Sequence, residues 1–89
     1  MVVSKKLKPV TDALESLIGD ASVPRNVRTS LSNAKAKLTD SVDPVAGMSS
    51  AIYDLDSVSN DINLPMHART LVWNLLSELE RLKEEEIGN

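Results

Sequence analysis

Apolar residues recur along this chain at steps of three and four, the spacing that gathers side chains onto one face of an α-helix. Leu7, Val10, Leu14, Leu17 and Ala21 form the first such series, and Pro9 is expected to limit how far that helix reaches backwards. Val27, Leu31, Ala34 and Leu38 form a second, in a helix expected to begin near Pro24. Val45, Met48, Ile52, Leu55 and Ile62 form a third, opened by Asp43-Pro44 as a capping residue and a first-turn proline. Ala68, Val72, Leu75, Leu79 and Leu82 form a fourth, from about Pro65 to a closing Gly88.

The pattern also repeats. A shift of 41 residues lays 13–38 on 54–79 without a gap, and 8 of the 26 positions are identical: Leu14/Leu55, Ser16/Ser57, Asp20/Asp61, Pro24/Pro65, Arg28/Arg69, Thr29/Thr70, Asn33/Asn74 and Leu38/Leu79. Unrelated segments of ordinary composition share roughly one or two. Each copy has the turn Asp-x-[Ser/Asn]-[Val/Leu]-Pro. The proline suits a helix's first turn and pushes the residue before it out of helical geometry. Ser22 and Asn63 read as caps, and Asp20 and Asp61 put negative charge near the positive end of the next helix.

These features predict an all-α fold in one domain, 1–89. It is an antiparallel four-helix bundle made of two duplicated helix–turn–helix units, about 5–39 and about 43–87. The alternative is a HEAT-like repeat, since paired helices of about 40 residues are its unit and Asp20–Arg28 resembles its turn. Two repeats are too few for a free-standing solenoid, which favours the closed bundle.

Composition narrows the classes. An apolar share of 42% and a charged share of 26% suit a globular domain. The lack of cysteine excludes a disulfide framework, a thiolate zinc site and a thiol nucleophile. No apolar run approaches the roughly 18 residues of a membrane span, and no secretory signal follows Met1-Val2-Val3-Ser4-Lys5-Lys6, so a cytoplasmic protein is expected. The net charge of −3 hides a split: residues 1–39 carry seven cations against three acids, and residues 40–89 carry three cations against ten acids. Such a split either holds halves of one fold together or attracts a partner.

Ser22-Val-Pro-Arg-Asn, the stretch Ser59-Asn-Asp-Ile-Asn-Leu-Pro-Met-His-Ala-Arg-Thr-Leu-Val-Trp73 and Ser77-Glu-Leu-Glu80 resemble the archaeal uncharacterised protein family 0147, over about residues 5–82. The resemblance implies a small four-helix protein of archaeal type and brings no activity or catalytic residue with it.

Catalytic and metal motifs are missing. The chain has no Gly-x-Gly-x-x-Gly, Walker loop, His-Glu-x-x-His or Glu-x-x-His. His67, the one histidine, reads as a capping or surface residue, with nothing in the spacing to supply a dyad partner. Asp54-Leu-Asp56 opens like a calcium loop and fails at Val58 and Ser59. Glu84, Glu85 and Glu86 read as a solvated end, and Glu80 with Lys83 as a helix-face pair. Asp20 with Arg28, and Asp61 with Arg69, are expected to tie each turn to the following helix; Thr29, Thr70, Asn33 and Asn74 are expected to bond to backbone. No cofactor, metal or small-molecule substrate is expected.

Two surfaces remain. On the fourth helix, Trp73 falls roughly 140° from the centre of the apolar face, flanked by Met66 and Arg69, and the first-copy counterparts of Trp73 and Leu76 are Ser32 and Lys35. Met66, Arg69, Trp73 and Leu76 are therefore expected to form a protein-partner or homodimer patch, of residue types enriched at interfaces. Tyr53 likewise lies off its helix's apolar stripe. On the second helix every charge between Pro24 and Thr39 is positive, and Arg25, Arg28, Lys35 and Lys37 are candidates for nucleic-acid contact. The expected role is a non-enzymatic helical interaction module, with a nucleic-acid accessory protein as the alternative. An acidic chain nearly without aromatics weighs against the latter.

Overall fold

The computed structural model describes residues 2–88, and the side chains of 5–88; Met1 and Asn89, the ends of the expected domain, lie outside the described residues. Four helices account for the fold: α1 (Val2–Ile18), α2 (Arg25–Asp40), α3 (Pro44–Ser59) and α4 (Met66–Gly88). Helix α1 packs on α2, α2 on α3, α3 on α4, and α4 returns to α1, while diagonal helices barely touch. This ring is a closed bundle; a stacked pair of HEAT-like units would place like helices side by side instead.

The core lies inside the ring. Its buried members are Leu7, Val10, Leu14, Leu17, Val23, Val27, Leu31, Ala34 and Leu38 from the first half. Met48, Ala51, Leu55, Val58, Leu64, Ala68, Val72, Leu75 and Leu79 come from the second, and Leu82 completes it. Each of the nine positions in the first set stands 41 residues before a member of the second. Some counterparts differ in size, as with Val10 and Ala51 or Ala34 and Leu75. Fully burying one Leu or Val side chain stabilises by about 1.5–3 kcal/mol before conformational entropy is counted.

Several local expectations change. Pro9 sits inside α1 and does not start it. Pro9 and Lys5 are both exposed, so water can hydrate the Lys5 carbonyl that a proline nitrogen leaves without a donor. Ala21 falls beyond the end of α1 and is exposed. Pro24 is the N-cap of α2 with extended backbone, just before the first turn, and the helix begins at Arg25. Ile62 is 90% exposed in the turn after α3, because the helical period was carried across a helix end. Val45 and Ile52 are half-buried, and Ala51 and Val58 line the inner face in their place. The Asp43 cap of α3 forms as expected, its side chain accepting from the Val45 and Ala46 amides at 3.0 and 3.4 Å.

The α2–α3 seam is the most extensive in the ring and α1–α4 the least. Gly47 sets that inequality. A Cβ built there would lie 2.6 Å from the Lys37 carbonyl oxygen and 2.7 Å from the Ser41 Cβ, so only glycine lets α3 approach the last turns of α2 so closely. The corresponding position of α1 is Lys6, which instead reaches Glu85 of α4 at 2.8 Å. Replacement of Gly47 by Ala is expected to push the helices apart and destabilise the fold by about 1–3 kcal/mol. A lowered urea midpoint with unchanged slope is the readout, and a midpoint equal to that of the parent chain contradicts the account.

Candidate functional site

The two turns stand beside each other at one end of the bundle and are built alike. In the first, Asp20 Oδ1 accepts from the Ser22 amide at 2.9 Å and the Ser22 hydroxyl at 2.6 Å, while the Val23 amide donates to the Asp20 carbonyl. In the second, Asp61 Oδ1 accepts from the Asn63 amide at 2.8 Å, and the Leu64 amide donates to the Asp61 carbonyl. Each aspartate thus folds its own turn as an Asx turn. Ser22 and Asn63 donate to those carboxylates and do not cap the helices that follow.

The turns also exchange contacts. His67, at the start of α4, reaches Asp20 Oδ2 at 2.9 Å through Nε2, and Asn26, at the start of α2, donates to Asp61 Oδ2 at 3.4 Å. Asn26 and His67 are themselves 41 residues apart, as are Asp20 and Asp61, so the contact is reciprocal, like that across a twofold axis. The Asp20–Arg28 and Asp61–Arg69 links are not formed through carboxylates. Arg69 donates through Nη2 to the Asp61 carbonyl oxygen at 2.7 Å, and the Nε atoms of Arg28 and Arg69 are buried without a hydrogen-bond partner among the described residues. Thr29 does bond to backbone, donating to the Arg25 carbonyl.

The fold therefore brings a serine, a histidine and an aspartate together, which the spacing of 45 and 47 residues did not suggest. Their geometry is not that of a proton relay. A relay holds serine and carboxylate on opposite nitrogens of the imidazole. Here Asp20 Oδ2 and Ser22 Oγ both approach Nε2, at 2.9 and 3.5 Å, and the Ser22 proton is already given to Asp20. The cluster is an exposed latch between turns. The hydrogen bonds from Ser22 and then from His67 lower the Asp20 pKa to about 2.

Of the four cations proposed for nucleic acid, the structure gathers no single face. Lys35 pairs with Glu15 of α1 at 2.7 Å and Lys37 with Asp54 of α3 at 2.7 Å, on opposite edges of α2. Arg28 is half-buried and Arg25 is exposed. Lys37–Asp54 and Lys6–Glu85 join the basic half of the chain to the acidic half, so part of the charge split is spent inside the fold. Glu85 is accordingly not a freely solvated end: the Lys6 ammonium, and next Arg81, hold its pKa below the usual carboxylate range.

The α4 patch has the opposite character. Met66 is 67% and Trp73 51% exposed, while Arg69 and Leu76 are half-buried and Leu76 packs on the edge of the core. Tyr53 is exposed too, and all six large apolar side chains exposed among the described residues lie at or beyond Val42. A cleft of about 250 Å³ lies between α1 and α2, lined by Leu7, Lys8, Thr11, Leu38 and Thr39. Its threonine hydroxyls are turned to their own helix backbones, so no polar groups converge there. No cluster of metal-binding side chains occurs among the described residues, and none of their helices is long and apolar enough to cross a membrane.

A ring of four helices with no strand among the described residues places the chain among the small all-α bundles. It belongs to the uncharacterised protein family UPF0147, whose model matches residues 2–82. It is similar to the UPF0147 protein MJ1419 of Methanocaldococcus jannaschii, at 45% identity over 78 residues, or 86% of this chain and 84% of that one. It is similar at 45% identity over 84 residues to a UPF0147 protein of Archaeoglobus fulgidus, covering 94% of this chain and 97% of the relative. Two crystal structures share the fold. One is the unknown-function protein MMP1188, with TM-score 0.81 and 40% identity over 86% of this chain and 89% of that one. The other is a UPF0147 protein from Thermoplasma acidophilum, with TM-score 0.83 and 32% identity over 92% and 99%.

The latch has a pH signature. The Asp20 pKa in the fold, about 2, lies below the value of about 3.9 of an unfolded aspartate. Its contribution is therefore present above about pH 4 and lost as the pH falls towards 2. Asp20→Asn is expected to flatten the loss of stability between pH 4 and 2 seen in urea titrations of the parent chain. An acid limb of equal steepness in the variant contradicts the assignment.

Proposed function

We propose that this protein is a non-enzymatic helical interaction module of the cytoplasm. It works by presenting a small rigid surface on the outside of α4, centred on Trp73 with Met66, Arg69 and Leu76. The observation that carries the reading is the half-exposed Trp73 beside exposed Met66, on a helix whose opposite face already buries Ala68, Val72, Leu75, Leu79 and Leu82. The monomer's core does not need the outer stripe, and tryptophan, methionine and arginine are favoured interface types. The exposed latch at His67, with Asp20 and Ser22 on one nitrogen, offers no activated nucleophile, which is consistent with a role in binding. A nucleic-acid role draws less support, because Lys35 and Lys37 are engaged with Glu15 and Asp54.

The test is the native size of the tagged protein in extract of its own cells, with and without nuclease, compared with Trp73→Ala. A larger species that survives nuclease and shrinks at least severalfold in abundance in the variant is expected. Collapse of that species by nuclease alone overturns the reading in favour of a nucleic-acid partner. Trp73→Ala itself is expected to change fold stability little, since the side chain is half in water.

A further inference from the structure

The outer side of α4 carries a mixed stripe of apolar and charged residues along its length. Met66, Trp73, Glu80 and Ile87 follow one another at intervals of seven, and all four are exposed. Arg69, Leu76 and Lys83 stand three residues after the first three, again at intervals of seven, and all three are half-buried. Positions spaced by three and four lie on one side of a helix, the side that a facing helix would cover, and here charged Arg69, Glu80 and Lys83 stand among apolar Met66, Trp73, Leu76 and Ile87. Helix α4 therefore carries two seams. The inner one fills the core; the outer one is partly covered at Arg69, Leu76 and Lys83 and open to solvent at Met66, Trp73, Glu80 and Ile87.

The outer seam is self-complementary when read in reverse. An axis between Asn74 and Leu75, perpendicular to the helix, places Trp73 of one copy on Leu76 of another and the arginine at 69 opposite the acid at 80. It places Met66 against the aliphatic stem of Lys83, which can snorkel its ammonium to solvent. The same operation carries Ile87 to the other copy's α3–α4 turn, where Ile62 stands 90% exposed. Apolar groups thus meet apolar groups and the two opposite charges meet twice. The charges fit that use: Arg69 is fixed in place by its bond to the Asp61 carbonyl, and Glu80 has only a loose 3.9 Å pairing with Lys83. A parallel arrangement would instead stack Arg69 on Arg69 and Glu80 on Glu80, with like charges in register.

We propose that a second copy of this chain docks on the outer seam of α4, with the two α4 helices antiparallel and crossing between residues 74 and 75. The inference rests on the interaction-module reading and names its partner. At about 1.5 Å per residue, the 23 residues of α4 run about 35 Å, nearly the 38 Å length of the molecule. A contact confined to one helix pair is small among protein interfaces, so the dimer is concentration-dependent.

The experiment is analytical ultracentrifugation of the full chain from about 1 μM to about 1 mM, with Trp73 emission recorded across the series and Ile87→Cys carrying a spin label. The expected result is a monomer–dimer equilibrium whose dimer has the bluer emission. Glu80→Arg is expected to raise its Kd roughly tenfold or more by opposing Arg69 with like charge, and labels at position 87 are expected to stand at least about 30 Å apart. Circular dichroism confirms that the surface variant Glu80→Arg remains helical. A monomer throughout the range, a dimer indifferent to Glu80→Arg, or labels in close contact overturns the proposal. A chain that is monomeric when pure, yet loses a nuclease-resistant complex in extract when Trp73 is replaced, overturns self-pairing and leaves the interaction-module reading standing.

Discussion

Nine apolar positions between Leu7 and Leu38 and nine between Met48 and Leu79, held 41 residues apart, bury one another in a single core, and each other feature of the molecule is arranged around that contact. No single helix of 16 to 23 residues would be stable alone without such a face to bury. The ring must close for all four stripes to leave water. Its closure is uneven, and among the positions at which the two halves differ one lies in the two unequal seams. Glycine at 47 lets α3 lie against the backbone of α2, whereas lysine at 6 holds α1 at the distance of an ion pair from α4. One seam is therefore closed by backbone approach and the other carries a partly exposed charge pair, which solvent screens.

At the turn end the same doubling satisfies polar groups. Each aspartate folds its own turn and receives a side chain from the opposite helix start, His67 for Asp20 and Asn26 for Asp61. This explains how a Ser22–His67–Asp20 cluster arises with no catalytic geometry. The serine belongs to the Asx turn, and the histidine occupies the place that Asn26 fills in the mirror contact. What resembles a relay by composition is one of two equivalent latches.

The inner faces of α2 and α4, the cap at Asp43 and the exposure of Trp73 were legible from period and residue type alone, because one helix stripe and one cap are local properties. Ile62 and Ala21 were misplaced because a period of 3.6 was counted through a turn, where it has no meaning. Pro9 resembles a boundary in sequence because a proline costs a helix a hydrogen bond, while the exposure of Lys5 and Pro9, which leaves that carbonyl open to solvent, depends on the packed fold. The cations of α2 looked like one surface because they are neighbours in the chain. At 100° per residue, Lys37 falls on the far side of the buried stripe from Arg28 and Lys35, and each edge found its own acid. The latch was not legible because it joins residues more than 40 apart, although the 41-residue repeat had already made Asn26 and His67 counterparts.

The comparison between α2 and α4 isolates what folding leaves unexplained. Both helices present the same inner stripe to the core, at positions related by the repeat. Their outer stripes differ, since α2 has Arg25, Ser32 and Lys35 where α4 has Met66, Trp73 and Leu76. Within the α4 set Leu76 packs on the edge of the core, while Met66 and Trp73 stand largely or half in water. An exposed apolar stripe carries a cost, as a liability for unspecific association. Trp73 therefore stands half in water on a helix that packs less extensively than α2, at a position where α2 carries Ser32.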